Sequence, residues 1–433
     1  MTLAVITALH GSWEAEIVAT LGGTSGYVVS RRCADLAELL AAAAAGIGDI
    51  ALVSADLRGV DRAALHHLET HGVAVAGVVA PGDEPGEREL RQLGLTVVVR
   101  ADVLTHDLED ALEVLATHLE APGAESPERQ ASAGGPVDSS SRAGVDARVI
   151  AVWGPTGAPG RSTVALNLAA ELAHSAPTIL VDCDTYGSST AQALALLDEA
   201  PGMAAAARAA DHGKLDLMAL ARVAPEVGPD LRVLSGVPRP ERWTELRAPS
   251  VSHVLAMARR LCRFVVVDCG FSLEDDEELS YDTVAPRRNA ATLSSLEAAD
   301  DLVVVGSADP VGLQRLVRGV QDLAEVTSPA SRRVVVNRVR ASAVGSHPER
   351  RIGEALGRFA GLEAVTYLPW DPETLDGAML AGRSLSEFAP HSDLRRAIAG
   401  LAEQYAHRAQ GGDGGRRSRR RKARVRTRPP FRS

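Results

Sequence analysis

The sequence predicts an α/β protein with two largely parallel, doubly wound sheets, and three observations lead there. Short aliphatic runs alternate with helical segments along most of the 433 residues. Residues 121–147, "APGAESPERQASAGGPVDSSSRAGVDA", carry no hydrophobic period and are rich in Pro, Gly, Ser and Ala, which is linker composition. A glycine-rich loop, "GPTGAPGRS", follows an aliphatic run and leads into a helical one. The expected organisation is a first domain over 1–120, a disordered linker over 121–147, a second domain over 148–409 and a basic disordered tail over 410–433. Hydrophobic residues make up 45% but aromatics only 3%, so both cores must be aliphatic.

In the first domain "LAVITAL", "GYVVS", "DIALVSAD", "VAVAGVVAPG" and "LTVVVR" read as strands. Each is followed by a helix, the first around "WEAEIVATL" and the last at "LEDALEVLATHLE". Five strand–helix units predict a parallel sheet of the flavodoxin type. That layout resembles a response-regulator receiver domain, with Asp56 at the end of the third strand where a receiver carries its phospho-acceptor. The loop "LHGSWE" lacks the metal-binding acids that the resemblance implies, and Arg100 stands where the family has Lys. Without charge neutralisation by a metal, phosphoryl transfer to Asp56 is not expected, and the domain reads as a degenerate receiver used for docking. His66, His67 and His71 fall on one helix and read as an exposed polar face rather than a metal site. Cys33, Cys183, Cys262 and Cys269 have no ligand spacing, and buried thiols in a reducing compartment are expected.

In the second domain "VIAVWG", "TILVDCD", "LRVLSG", "RFVVVDCG", "DLVVVGSAD", "RRVVVNRV" and "AVTYLPW" read as strands, most of them near-continuous Val/Ile/Leu runs and therefore buried on both faces of a mostly parallel sheet. Ligands bind such sheets beyond the C-terminal strand ends. The loop after the first of these strands carries Gly154, Gly157 and Gly160 and enters a helix near Ser162, whose N-terminal amides and dipole favour an anion. It departs from the G-x-x-x-x-G-K-[ST] pattern, because Pro155 replaces the first Gly and Arg161 replaces the Lys. Asp182 and Asp184, Asp268, and Asn337 with Arg338 stand at three further strand ends.

Loop, acids and late Asn, with "VALNLAAELA", "SLEAADDLVVV" and "LPWDPETLDGAMLAGRSL" around them, resemble the ParA/MinD superfamily of P-loop ATPases. With a receiver-like domain in front, the arrangement is similar to the CpaE/TadZ branch, and specifically to its actinobacterial, septum-site-determining form. The resemblance implies ATP and Mg2+ as cofactors. Gly157, Ala158, Pro159, Gly160 and Arg161 would cradle phosphates and Thr163 would lie near the α-phosphate. Ser162, Asp268 and, at one remove, Asp182 would serve magnesium. Asp184 would orient the attacking water, Arg161 would neutralise phosphate charge, and Asn337, with Arg338 beside it, would read the adenine edge. The family's signature Lys, which reaches across a nucleotide-sandwiched dimer, aligns with Thr156, and the Walker B continuation reads "DCGFS". Arginine is planar and wider than lysine, so nucleotide binding with slow hydrolysis is expected. Arg287 and Arg288 are weighed as substitute charge and read as a solvated face.

The tail "RRSRRRKARVRTRPPFRS" holds ten Arg or Lys and no acid, leaving 36 basic against 56 acidic residues elsewhere. The tail reads either as a contact to DNA or anionic membrane or as a solubilising arm. The N-terminus has no basic n-region and no 18 apolar residues run together, so a cytoplasmic protein, peripheral at most at a membrane, cell pole or septum, is expected. Two function classes follow. One is a weak ATPase, dimerising with nucleotide, that positions a Tad-type pilus or secretion apparatus or the septum through motor or division proteins. The other is a non-catalytic scaffold with a degenerate site; a ParA-like chromosome partition role is a third alternative.

Overall fold

The structure, a computed structural model, describes residues 2–407 apart from 12, 102–105, 121–146, 158, 197–201, 276–285, 328–330 and 363. The expected linker, apart from its last residue, and the tail beyond residue 407 lie outside the described residues.

The first sheet comes from β1 (Leu3–Ala8), α1 (Glu14–Gly23), β2 (Tyr27–Arg32), α2 (Leu36–Ala44), β3 (Ile50–Ser54), α3 (Arg62–Thr70), β4 (Ala74–Val79), α4 (Glu84–Leu93), β5 (Val98–Arg100) and α5 (His106–Glu120). Its strand order is β2-β1-β3-β4-β5 with every pair parallel, the doubly wound order expected from five strand–helix repeats. β3 is buried along its whole length, whereas edge strand β2 buries none of its residues, and this accounts for the charged end "SRR".

The second sheet and its helices comprise β6 (Arg148–Trp153), α6 (Arg161–Ala173), β7 (Thr178–Cys183), α7 (Thr190–Ala193), α8 (Gly202–Asp211), α9 (Leu217–Val223), β8 (Glu226–Gly228), β9 (Leu231–Leu234), α10 (Ala248–Leu261), β10 (Phe264–Cys269), α11 (Ala290–Glu297), β11 (Asp301–Ser307), α12 (Pro310–Val326), β12 (Ser331–Val339), α13 (Ala341–Val344), α14 (Pro348–Ala360), β13 (Val365–Pro369), α15 (Pro372–Ala381), α16 (Leu385–Phe388) and a last helix over residues 393–407. The order is β13-β12-β11-β6-β10-β7-β9-β8, parallel throughout except for the β8–β9 edge pair. All seven expected strands form, and the short β8, between Pro225 and Pro229, escaped the reading because it has no apolar run.

β6 lies in the middle of this sheet, and the chain leaves it for β7 by passing over β10. The glycine-rich loop therefore opens at an interior strand end, with β10 on one side and β11 on the other. Ten consecutive residues of α6, Val164–Ala173, are buried, and its two polar ones are satisfied. Asn167 accepts from the Leu385 amide at 2.7 Å, and Glu171 takes a bidentate pair from Arg395 at 2.6 and 2.7 Å. Those bonds hold the helix that carries the loop's C-terminal end.

Elsewhere acids are used as helix caps: Asp35, Asp61, Asp83, Asp216, Asp309 and Asp371 each accept an amide from the first turn that follows. Each such cap stabilises its helix by about 1 kcal/mol. Asp61 has a second task, since its other oxygen meets Arg247 at 3.0 Å where α3 packs against α10 and α8 of the second sheet. The expected exposed face of three histidines is corrected here. His67 is buried on the same side of α3 as Ala64 and Leu68, with its ring 4.3 Å from His71, and His66 alone of the three is exposed. No group of three or more metal-ligating side chains occurs among the described residues. No helix among them is long and apolar enough to cross a membrane.

Candidate functional site

The loop from Gly154 to Arg161 is shaped by close packing on both sides. A side chain at Gly154 would run into the Val305 carbonyl of β11, so only glycine lets the chain leave β6 there. Gly157 and Gly160 hold φ of +106° and +97°, a region that strains other residues. Gly160 caps α6, and Ser162 and Thr163 occupy the helix's first turn. Pro159 is described and Ala158 lies outside the described residues. Asn337, 6% exposed at the end of β12, donates to the Pro159 carbonyl at 2.8 Å and accepts the Arg338 amide at 2.8 Å. Its amide thus braces the loop from below. Arg338 has φ +61° and turns its guanidinium over Trp370, 5.4 Å from the ring centre.

Arg161 points across the strand ends. Its side chain is 10% exposed and bonds from Nε to the Cys269 carbonyl at 3.2 Å, from Nη1 to the Gly154 and Pro155 carbonyls at 3.1 and 3.4 Å, and from Nη2 to Asp184 at 3.2 Å. One cation therefore joins the ends of β6, β7 and β10. Asp184 is further tied by the Tyr186 and Gly187 amides at 2.9 and 3.2 Å. Asp182 is enclosed as well, taking the Ser188 hydroxyl at 2.8 Å and the amides of Asp184, Ser189 and Thr190. Burial raises its carboxyl above the ordinary range, and those hydrogen bonds oppose the rise.

Asp268 differs from both. It is fully buried at the end of β10, level with Asp182 in the strand register, and neither oxygen has a hydrogen-bond partner of good geometry. Burial, then the neighbouring Asp182 charge, pushes its carboxyl well above the ordinary value, and the Ser162 hydroxyl pulls the other way. A buried carboxylate without partners is costly unless a cation or donor faces it. Ser162 and Asp268 are hard oxygen ligands of the kind that holds magnesium at a phosphate site. The donor chemistry and the orphaned oxygens therefore fit such an ion.

Several contributors were missed or read differently. Tyr186 stacks against Phe271 at 4.7 Å and donates to Asn289 at 2.9 Å, while Arg288 lies over its ring at 4.2 Å. The reading of Arg287 and Arg288 as a solvated face is thus corrected for Arg288; Arg287 pairs with Asp275 at 2.8 and 3.0 Å. Arg315, from α12, lies against Thr156 and Gly157 and had no signal in the sequence. All four cysteines are buried, and Cys183 and Cys269 face each other in register, their thiols pushed up by burial, that of Cys183 to about 12. A groove of about 360 Å³ between α6, β8 and the segment joining α15 to α16 shares no residue with the loop or the acids.

Residues 150–378 match the family described as the CobQ/CobB/MinD/ParA nucleotide binding domain. No curated protein matches the chain. Among solved structures, a ParA family ATPase from Chlorobium tepidum TLS superimposes with a TM-score of 0.50 at 20% identity, covering 59% of this chain and 98% of that one. The septum site-determining protein MinD of Pyrococcus horikoshii OT3, complexed with Mg-ADP, gives 0.47 at 18% identity over 60% of this chain and 96% of that one. The cell division ATPase MinD of Pyrococcus furiosus gives 0.47 at 20%, with 60% and 98% covered. At 20% identity the likeness to the Chlorobium tepidum protein is one of fold.

Proposed function

We propose that this chain, which belongs to the CobQ/CobB/MinD/ParA nucleotide-binding family, binds a magnesium nucleotide and hydrolyses it slowly, as a positioning protein of the CpaE/TadZ kind. The observation that carries the reading is Asp268, fully buried beside Ser162 and the glycine-rich loop with no hydrogen-bond partner of good geometry on either oxygen. Ser162 and Asp268 would hold the ion, which when bound neutralises phosphate charge. The amides of the loop and of the first turn of α6 would take phosphate oxygens.

Slow hydrolysis follows from Asp184. Two amides fill one oxygen of Asp184 and Arg161 takes one site on the other, so a single acceptor site remains to orient water. Arg161 is likewise engaged with four acceptors. The reading extends to nucleotide-dependent dimerisation and to placing a pilus, secretion or division apparatus through the first domain.

Calorimetric titration with a non-hydrolysable ATP analogue, with and without magnesium, tests the site. Wild type should bind more tightly with magnesium, and Asp268→Asn should lose that enhancement while keeping its fold. Absence of binding by wild type at millimolar analogue with magnesium rejects the reading in favour of the non-catalytic scaffold, which the four bonds holding Arg161 to the protein support.

A further inference from the structure

We propose that Arg315 of α12, which lies against Thr156 and Gly157, binds the phosphates of a nucleotide held in the loop of its own chain; the proposal rests on the nucleotide reading above.

Two glycines bring α12 to the loop. Gly306 in β11 leaves room for Leu316, since a side chain there would overlap it. Gly319 lets the helix lie on β6 and the loop, where an added Cβ would be only 3.0 Å from Trp153 and 3.3 Å from Pro155. Arg315 is four residues before Gly319 and so projects from the same face one turn earlier. Docking of Gly319 on Pro155 therefore carries Arg315 over the next residues of the loop. Its guanidinium lies so close to Gly157 that any side chain at 157 would collide with it. Pro155, a departure from the loop pattern in the sequence, is thus part of the surface that seats α12.

The state of the donors separates the two arginines. Arg161 is nine-tenths buried with its guanidinium engaged by three carbonyls and Asp184. Arg315 is exposed, makes one long bond from Nη1 to the Thr156 carbonyl at 3.5 Å, and has no carboxylate partner among the described residues. At that length the bond is weak. A guanidinium offers donors in a planar fork suited to two phosphate oxygens, and Arg315 holds that fork over the loop with its donors available.

The full chain is titrated by calorimetry with the same ATP analogue and with ADP, in magnesium, at two protein concentrations tenfold apart. Arg315→Ala should weaken analogue binding by roughly 10- to 100-fold, the range for charge-assisted hydrogen bonds. Arg315→Lys should keep part of the affinity. Arg350→Ala, an equal change of charge at an exposed side chain of α14, should stay within about twofold of wild type. If wild type binds and Arg315→Ala binds equally well, the assignment of Arg315 is wrong and the nucleotide site stands. A loss seen only at the higher concentration overturns the placement within one chain. No binding by wild type removes the nucleotide reading and this assignment together.

Discussion

Arg161 illustrates how one residue type changes meaning with its neighbours. In the loop pattern it occupies the phosphate lysine's position, yet in the fold it closes a pair with Asp184, the side chains being 10% and 4% exposed. Breaking a buried pair by removing one partner leaves the other charge uncompensated, at a cost of about 3–5 kcal/mol. Arg161→Ala is therefore expected to destabilise the chain by about that much in urea unfolding, because Asp184 and three carbonyls lose their donor. Arg161→Met combined with Asp184→Asn should regain part of the loss, since no charge is then left buried. Additive losses in that double-mutant cycle would count against the pair. Asp182, Asp184 and Asp268 were legible as strand-end acids, but their division of labour was not. Turn amides claim the first two and none reaches the third.

At the scale of elements, α10 joins the core of the second sheet to the first domain, and His253 on it is the titratable group that reports on that packing. Burial lowers its imidazole from the ordinary 6.5 to about 4, with the Arg62 and Arg260 charges adding to the effect and a hydrogen bond with the Leu215 backbone opposing it. Between those values the unfolded chain takes up a proton that the folded chain refuses. Stability from this group is complete above pH 6.5 and is lost as pH falls towards 4, by roughly 2–3 kcal/mol. Urea unfolding at pH 7.5 and pH 5 should show a smaller acid loss for His253→Gln than for wild type, and equal losses would place the acid sensitivity elsewhere. The strands around this helix were legible because buried parallel strands need unbroken aliphatic runs. β8 was not, since an edge pair of three residues makes no such demand.

For the whole molecule, the two sheets are held together through α3 and α4 on one side and α8 and α10 on the other. The Asp61–Arg247 pair is about one-third exposed on each side chain and contributes at most about 1 kcal/mol. Close packing matters more at Gly213, whose φ is +64° and where a Cβ would stand 2.9 Å from the Glu89 carbonyl and 3.1 Å from Leu93. A β-branched residue is strained in that conformation and would push the first domain away. Gly213→Val should raise the radius of gyration in small-angle X-ray scattering while nucleotide affinity is retained, because Gly213 packs on Glu89 and Leu93 of the first domain and not on the loop or the three acids. An unchanged radius of gyration would mean that the two sheets do not dock in solution as they do here.

By itself the sequence determined the α/β class, the order of strands and helices, and the acids at strand ends. These depend on local physics: aliphatic runs for doubly buried strands, helical period between them, and glycine where φ is positive or backbones approach closely. Tertiary structure alone decided which charges meet. Arg161 finds Asp184 because β7 lies beside β10, two strands from β6, and Arg315 reaches the loop because Gly306 and Gly319 seat α12 against β6. A charged side chain is long and flexible, and its sequence neighbours say nothing about which strand end or loop lies within its reach. That is settled only when the sheet closes and the helices pack.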